Sequence, residues 1–211
     1  MKQTFLRRMT IRPRFSWPVS AEDAEKILMA AYAACVECRG RRLQVDDDTR
    51  QNIFRVARYI TNPHHRCGII LCGAPGNGKT TMLTAFQQAT NLMKEKGYFE
   101  GYDDYDVSPT IWDARELAER AKDYKTFQRI KQLYSLALED IGREPTEVLD
   151  FGNVLNPLVD LFESRYREQL FTFVTTNLTP RQLRQKYGNR VADRFNEMME
   201  LVVFENNTYR K

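Results

Sequence analysis

The chain has 211 residues, of which 42% are hydrophobic and 28% charged, and a formal net charge of +4. This length fits one globular domain with an appendage, and no low-complexity block is present. There is no apolar run of about 18 residues and no signal-peptide pattern, which excludes membrane-spanning classes and predicts a cytoplasmic protein without a membrane partner.

Positive charge is unevenly distributed along the chain. The first 18 residues carry basic side chains and no acidic ones, and a second basic group follows; the residues are Lys2, Arg7, Arg8, Arg12 and Arg14, then Arg39, Arg41 and Arg42. Such clusters favour binding to a polyanion through release of counterions.

Four cysteines are present, and two of them, Cys35 and Cys38, form a C-x-x-C pair. This spacing is compatible with half of a zinc site or with a redox pair. Because Cys67, Cys72 and the nearby histidines do not continue a regular ligand pattern, we expect reduced cysteines packed as small hydrophobic side chains.

Two helices are predicted before the first strand. Ser20, followed at once by acidic residues, is typical of a helix start, and this helix is expected to end at Gly40. In VDDDTRQNIFRVARYITNP, apolar residues recur at helical spacing until Pro63. The short apolar run CGIILCG (67–73) then predicts a buried strand.

Strands and helices alternate in the rest of the chain. Further strands are predicted at 108–114, 135–140, 170–176 and 201–206, with helices at about 79–96, 113–134, 154–168 and 180–199. This alternation predicts an α/β fold with a five-stranded parallel sheet flanked by helices. We expect residues 1–44 to form a basic, helical extension and residues 45–211 a nucleotide-binding core.

The segment GAPGNGKTT (73–81) matches the P-loop pattern G-x-x-x-x-G-K-[ST] between a strand and a helix. Its glycines allow backbone N–H groups to surround phosphate oxygens at a helix N-terminus. Lys79 is expected to reach the β- and γ-phosphates, and Thr80 to bind Mg²⁺ through its hydroxyl. The predicted nucleotide-binding residues are Gly73, Pro75, Gly76, Asn77, Gly78, Lys79, Thr80 and Thr81.

Two acidic residues end the apolar run in LALEDIG (136–142). The carboxyl ends of parallel strands meet at one edge of a sheet, beside the P-loop, so Glu139 and Asp140 are predicted metal ligands together with Thr80. A glutamate stands where such sites more often have an aspartate. Its extra methylene moves the carboxylate about 1.5 Å further out, so we expect slower turnover.

In the order of these motifs the chain resembles the AAA+ ATPases, and within them the bacterial helicase-loader and transposition-helper branch (DnaC-like and IstB-like). LALEDIG resembles the second acidic motif of that branch, FVTTNLTP (173–180) its fourth strand, NRVADRFNEM (189–198) its arginine-bearing helix and NNTYR (206–210) its closing motif. The resemblance covers residues from about 45 to 211. It implies a P-loop NTPase of AAA+ type without a separate helical lid domain, and head-to-tail, ATP-dependent homo-oligomers.

The resemblance also implies the catalytic residues. Asp140 is similar to the acid that polarises the attacking water, and Asn177 to the sensor asparagine that orients it, supported by Thr175 and Thr176. Arg194, or alternatively Arg190, resembles the arginine finger that reaches the γ-phosphate of a neighbouring subunit. Phosphoryl transfer requires such a set of a metal, a water-orienting group and a cation, which predicts ATP and Mg²⁺ as cofactors.

The segment RELAERAKDYKTFQRIK (115–131) is long enough for two helices. A similar extra helix lines a single-stranded DNA channel in the replication-initiator branch that this part of the chain resembles. Its basic residues are candidates for phosphate contacts and two aromatic residues for stacking on bases, which predicts single-stranded DNA as a partner. These residues are Arg115, Arg120, Lys122, Lys125, Arg129 and Lys131, with Tyr124 or Phe127 for stacking.

Together these features predict an ATP-hydrolysing protein of DNA replication or mobile elements that loads or remodels a helicase or transposase on single-stranded DNA. Two alternatives stay open. Glu139 favours a scaffold that binds ATP without hydrolysing it. The segment RQLRQKYGNR (181–190) is also compatible with the arginine-rich substrate lid of a small-molecule kinase.

Overall fold

The structure, a computed structural model, describes residues 12–150, 152–205 and 208–209. Lys2, Arg7 and Arg8 of the first basic cluster lie outside these residues, as do Asn206, Asn207 and Arg210 of the predicted closing motif. In chain order, the elements are α1 (Ala21–Glu37), α2 (Asp47–Thr61), β1 (Gly68–Gly73), α3 (Lys79–Glu95), β2 (Thr110–Asp113), α4 (Ala114–Arg120), α5 (Tyr124–Gln132), β3 (Ser135–Ile141), β4 (Val148–Asp150), β5 (Asn153–Leu155), α6 (Pro157–Glu168), β6 (Phe171–Thr176), α7 (Pro180–Met198) and β7 (Met199–Phe204).

The predicted sheet of five parallel strands is confirmed. Its strands lie in the order β2, β3, β6, β1, β7, with β1 between β6 and β7. Helices cover both faces, and the described residues contain no separate helical lid domain.

Alternate residues of the central strands enter two different cores, because successive side chains of a strand point to opposite faces. In β1, Ile69 and Leu71 pack with α1, α2 and α3, whereas Ile70 and Cys72 pack with residues from α4 to α7. A sheet buried on both faces needs apolar residues at every position, which explains the unbroken apolar runs in the sequence.

Helix starts follow the local signals. The Ser20 hydroxyl accepts a hydrogen bond from the Asp23 N–H at 3.0 Å and caps α1, and the Asp46 carboxylate caps α2. The segment after β2 forms two helices, as the sequence allowed, because Asp123 caps α5 three residues after α4 ends. Helix α7 is kinked at Gly188, whose φ is +83°.

The sequence prediction is wrong between residues 148 and 155. A helix was expected from residue 154, but β4 and β5 form an antiparallel hairpin in which Leu149 pairs with Val154. Gly152, with φ +85°, permits the tight turn. Helix α6 begins only at Pro157, a residue that favours the first position of a helix.

Among the described residues, no helix combines the length and the apolar character needed to cross a membrane.

The described part of the predicted N-terminal extension shares its core with the rest of the chain. Phe15 and Trp17 are each 2% exposed. The Trp17 ring stacks on Phe86 of α3 at a centroid distance of 5.7 Å, and its Nε1 donates to the Thr90 hydroxyl at 3.2 Å. The division of the chain at residue 44 stays a prediction, and this shared core provides a way to test it.

We expect Trp17→Ala to lower the free energy of unfolding by about 3–5 kcal/mol, because it leaves a cavity beside Phe86. Denaturant unfolding monitored by circular dichroism measures the change. Leu92→Ala is the control, since Leu92 is 49% exposed and surface substitutions change stability by about 0.5 kcal/mol or less. Equal stability of Trp17→Ala and wild type would mean that residues 12–44 are a dispensable appendage.

Candidate nucleotide-binding site

A cavity of about 770 Å³ lies at the edge of the sheet where the central strands end, a volume typical of small-molecule sites. The P-loop residues 75–81 form one wall, and Asp140, Arg143 and Asn177, at or after the ends of β3 and β6, form the second. The third wall comes from α1, the segment after it, the start of α2 and the C-terminal segment; its residues are Tyr32, Val36, Arg39, Arg41, Arg42, Leu43, Gln44, Thr49, Thr208 and Tyr209.

Most charged side chains in the described lining are basic. They are Arg39, Arg41, Arg42, Lys79 and Arg143, against a single acid, Asp140. The cavity therefore favours an anionic ligand.

The P-loop joins β1 to the N-terminus of α3, as the motif requires. Gly78 adopts φ +95°, and a Cβ there would collide with the Tyr32 hydroxyl. Lys79 is 4% exposed, and its Nζ donates to the carbonyl oxygens of Gly73 and Ala74 at 2.8 and 2.9 Å. These contacts hold the ammonium group within the loop.

Asn77 connects the P-loop to the edge strand β7. Its side chain is buried, donates through Nδ2 to the Phe204 carbonyl at 2.9 Å and accepts from Lys79 Nζ at 3.0 Å. A Cβ at Gly73 would collide with both Asn77 and Phe204, so only glycine fits there. Seven of the eight predicted nucleotide-binding residues line the cavity. The eighth, Gly73, does not line it but lies directly against Asn77 and Phe204.

The two acids of LALEDIG have different surroundings. Glu139 accepts a hydrogen bond from the Thr80 hydroxyl at 2.7 Å. Asp140 lies at a β-bulge, with φ +56°, and its N–H donates to the Thr175 hydroxyl at 3.0 Å. Bulges re-aim side chains, and here Asp140 faces the cavity while Glu139 faces the P-loop helix.

The oxygen atoms of this site fit a magnesium ion. The Thr80 hydroxyl and the Glu139 carboxylate are already within 2.7 Å of each other, and Asp140 lines the same cavity. Mg²⁺ prefers few protein oxygens, retained waters and phosphate oxygens. The assignment of Thr80, Glu139 and Asp140 as metal ligands stays a prediction.

Asn177 lies directly after β6 and lines the cavity. The buried Thr175 and Thr176 before it support the neighbouring strand end, because the Thr176 hydroxyl donates to the Ile141 carbonyl at 2.8 Å. The structure thus brings Asn177, Asp140 and the P-loop to one cavity, although their roles in catalysis stay predictions.

The two candidate arginine fingers lie away from this cavity. Arg194 Nη1 and Arg190 Nε approach the same Glu163 oxygen at 2.7 and 2.8 Å, and Arg194 also lies over the Tyr166 ring. The Arg194 contact is an ion pair without the alignment of a hydrogen bond. The Arg190 side chain is 71% exposed and that of Arg194 20%, so Arg190 is the more accessible of the two.

Sequence reasoning missed part of the cavity wall. Arg143 forms an ion pair with Asp140 at 2.7 Å, and this pairing raises the pKa of Arg143. Tyr32 is buried, which raises the pKa of its hydroxyl. No local pattern marks Tyr32, whereas the position of Arg143 just after LALEDIG was a usable signal.

Two elements distant in sequence close the cavity over the P-loop. The Arg39 guanidinium donates to the Thr81 hydroxyl at 3.2 Å. Tyr209 donates from its N–H to the Gly76 carbonyl at 2.9 Å and from its hydroxyl to Asp46 at 2.8 Å. The second basic cluster therefore lines the candidate nucleotide site.

The cysteines are free thiols. Burial raises the pKa of the Cys72 thiol to about 11, although Lys79 acts in the opposite direction. Among the described residues, no group of three or more His, Cys, Asp or Glu side chains is arranged to bind a metal ion, so the zinc interpretation of Cys35 and Cys38 gains no support.

Two residues predicted to contact DNA are buried. Phe127 is 5% exposed and cannot stack on a base, and Lys131 is 7% exposed and paired with Asp160 at 2.9 Å. Phe127 packs in the hydrophobic core and Lys131 contacts α6, so both are removed from the candidate surface. Tyr124, 72% exposed, remains available, together with the exposed Arg115, Arg120, Lys122, Lys125 and Arg129.

The strand order and the P-loop site define an AAA+ P-loop NTPase fold. The DnaC helicase loader is structurally similar over 76% of this chain and 92% of its own, with a TM-score of 0.57 and 23% sequence identity. DnaI matches 76% of this chain and 87% of its own, with a TM-score of 0.55 and 21% identity. AMPPCP-bound DnaA from Aquifex aeolicus matches 76% of this chain and 48% of its own, with a TM-score of 0.52 and 20% identity.

No protein-family model and no curated protein sequence matches the chain. At these identities, the similarities to solved structures establish the fold. The predicted resemblance to the helicase-loader branch is thereby confirmed as a resemblance of fold.

Proposed function

We propose that the protein binds and hydrolyses ATP in the cavity and couples this to loading or remodelling a helicase or transposase on single-stranded DNA, in the cytoplasm. The observation that carries the proposal is the convergence of a P-loop, a Thr80–Glu139 pair, Asp140 and Asn177 at one basic cavity. The likeness of fold to the DnaC helicase loader and to DnaA supports a role in replication.

In this proposal, each group acts on a different part of the nucleotide. The N–H groups of the P-loop and Lys79 bind the β- and γ-phosphates. Thr80 and Glu139 would hold Mg²⁺, which would neutralise the charge that develops on the phosphate oxygens. Asp140 accepts a proton from the attacking water, and Asn177 orients that water.

The non-hydrolysing alternative rested on the length of Glu139. Its carboxylate lies 2.7 Å from the Thr80 hydroxyl, so the extra methylene does not prevent contact with the P-loop helix. This distance supports hydrolysis over a purely structural role for ATP. The kinase alternative needs the arginines of the 181–190 segment at the cavity, but that segment does not line it; Arg184 pairs with Asp193 and Arg190 with Glu163.

We expect Asp140→Asn to retain ATP binding and to lower the hydrolysis rate by at least about 100-fold, because a water-polarising group contributes about 10²–10⁴-fold. Lys79→Ala is expected to lose ATP binding itself. Isothermal titration measures binding, and phosphate release measures turnover. A wild-type protein that binds ATP but releases no phosphate over hours would establish the scaffold alternative.

An arginine finger can reach the nucleotide of a neighbouring subunit only if the subunits assemble head to tail. Arg190 and Arg194 are both on α7, lie together on Glu163 and do not line the described cavity of their own chain, which is compatible with action on the nucleotide of an adjacent subunit.

Mixing two inactive variants tests this arrangement. Arg194→Ala retains its own P-loop, whereas Lys79→Ala retains its arginines, so a mixture should recover a fraction of the wild-type ATPase rate that neither variant has alone. The same mixture with Arg190→Ala decides between the two arginines. Arg167→Ala is the control, because Arg167 is an exposed arginine at the end of α6. This variant should be active without mixing. No recovery in either mixture would exclude an arginine finger at these positions.

Single-stranded DNA is the proposed nucleic-acid partner of the α4–α5 surface. Exposed Tyr124 provides an aromatic ring, and Lys125 and Arg129 lie four residues apart on α5. Basic side chains around an exposed ring are the features that bind single strands with little sequence preference.

We expect Lys125→Ala/Arg129→Ala to weaken single-stranded DNA binding and to reduce the slope of log K against log salt by about 1.4, at about 0.7 per phosphate contact. Fluorescence anisotropy at several salt concentrations measures this slope. Lys26→Ala/Arg167→Ala removes the same charge from other exposed sites and should leave the slope unchanged. Equal slopes for both double variants would place the DNA elsewhere.

A further inference from the structure

Arg143 is a charged residue of the cavity to which the P-loop and acidic motifs assign no role. Its Nη1 lies 2.7 Å from Asp140 Oδ2, and both side chains line the cavity that also contains Lys79 and Asn177. The Arg143 side chain is 53% exposed and that of Asp140 18%. The arginine is therefore the partner that can move into open space.

The backbone that carries this pair is held in place by hydrogen bonds on several sides. The Thr175 hydroxyl accepts from the Asp140 N–H at 3.0 Å, and the Thr176 hydroxyl donates to the Ile141 carbonyl at 2.8 Å. Two residues further, the Arg143 carbonyl accepts from Arg115 Nε at 3.2 Å. The turn cannot shift without breaking several of these contacts.

The buried carboxylate of Glu144 also holds this turn in place. Glu144 is 2% exposed, accepts from the Gly142 N–H at 2.8 Å and accepts from the Tyr187 hydroxyl at 2.6 Å. Lys186 adds a contact to the Glu144 carbonyl at 2.6 Å. With the backbone fixed, the remaining freedom at this turn is rotation of the Arg143 side chain.

The ion pair has a direct consequence for Asp140, because a carboxylate oxygen that accepts from a guanidinium is occupied and cannot at the same time accept from another donor in the cavity. A terminal phosphate offers several negatively charged oxygens in the fork geometry that a guanidinium binds best. The γ-phosphate of a nucleotide bound through Lys79 and Thr80 would lie in the same cavity as Arg143.

We propose that Arg143 is a specificity-determining residue that distinguishes nucleoside triphosphate from diphosphate by exchanging its Asp140 ion pair for the γ-phosphate. With a diphosphate bound, Arg143 stays on Asp140. With a triphosphate bound, Arg143 contacts the terminal phosphate and no longer pairs with the Asp140 carboxylate. This inference rests on the proposed function, since it requires ATP in the cavity.

The test compares affinities of the full chain for a non-hydrolysable ATP analogue and for ADP, both with Mg²⁺, by isothermal titration. We expect Arg143→Ala to lose about tenfold in analogue affinity, the effect of one charge-assisted hydrogen bond, and to keep its ADP affinity within about twofold. Arg143→Lys, which keeps the charge but not the fork, should lie between wild type and Arg143→Ala.

Arg184→Ala is the matched control. Arg184 also forms an exposed ion pair with an aspartate, Asp193, at 3.0 Å, but it does not line the cavity. We expect its analogue-to-ADP affinity ratio to equal that of wild type.

The outcomes separate this inference from the proposed function. An unchanged affinity ratio in Arg143→Ala, or an equal loss for both nucleotides, overturns the role of Arg143 while ATP binding by wild type still stands. A wild-type protein that binds neither nucleotide, and so does not differ from Lys79→Ala, overturns both. Thermal melts of each variant show whether the fold is retained.

Discussion

The parallel direction of the five strands is the constraint on which the candidate site depends. Residues 79, 140 and 177 are far apart in the chain, and they meet because β1, β3 and β6 are neighbours whose carboxyl ends share one edge. The same arrangement buries the sheet on both faces. Helices must therefore cover each face, and α1, with Leu28 fully buried, is needed for the face that also holds Trp17 and Phe86.

The irregularity at Asp140 allows the two adjacent acids to face different parts of the site. In a regular strand, neighbouring side chains point to opposite faces, so only one of the pair would reach a site at the strand end. The bulge and the positive φ of Asp140 turn its carboxylate to the cavity while Glu139 contacts Thr80. Strained backbone at such a position persists only where the surroundings fix it, and the hydrogen bonds of Thr175 and Thr176 provide this support.

Local signals predicted much of the fold and part of the site. The P-loop, the helix start at Ser20, the second helix within VDDDTRQNIFRVARYITNP and the apolar strands are encoded in short segments, and each was found from the sequence. The hairpin at 148–155 was missed because its strands have three residues each, too few for an alternation pattern. Burial of Phe127 was not predictable, because it depends on how α5 packs against α4 and α6. The cavity wall formed by Tyr32 and Tyr209 was missed for the same reason, since both reach the P-loop through tertiary contacts.

The balance of charge and apolar surface in the cavity limits what it can bind. The acids do not offset the basic lining, because Asp140 is paired with Arg143 and Glu139 faces Thr80. This excess of positive charge favours a ligand with several negative charges. A bare phosphate would satisfy the charge but would leave the surfaces that Val36 and Leu43 present to the cavity uncovered. The charged and apolar lining residues together therefore favour an anion that carries a partly apolar group, as a nucleotide does.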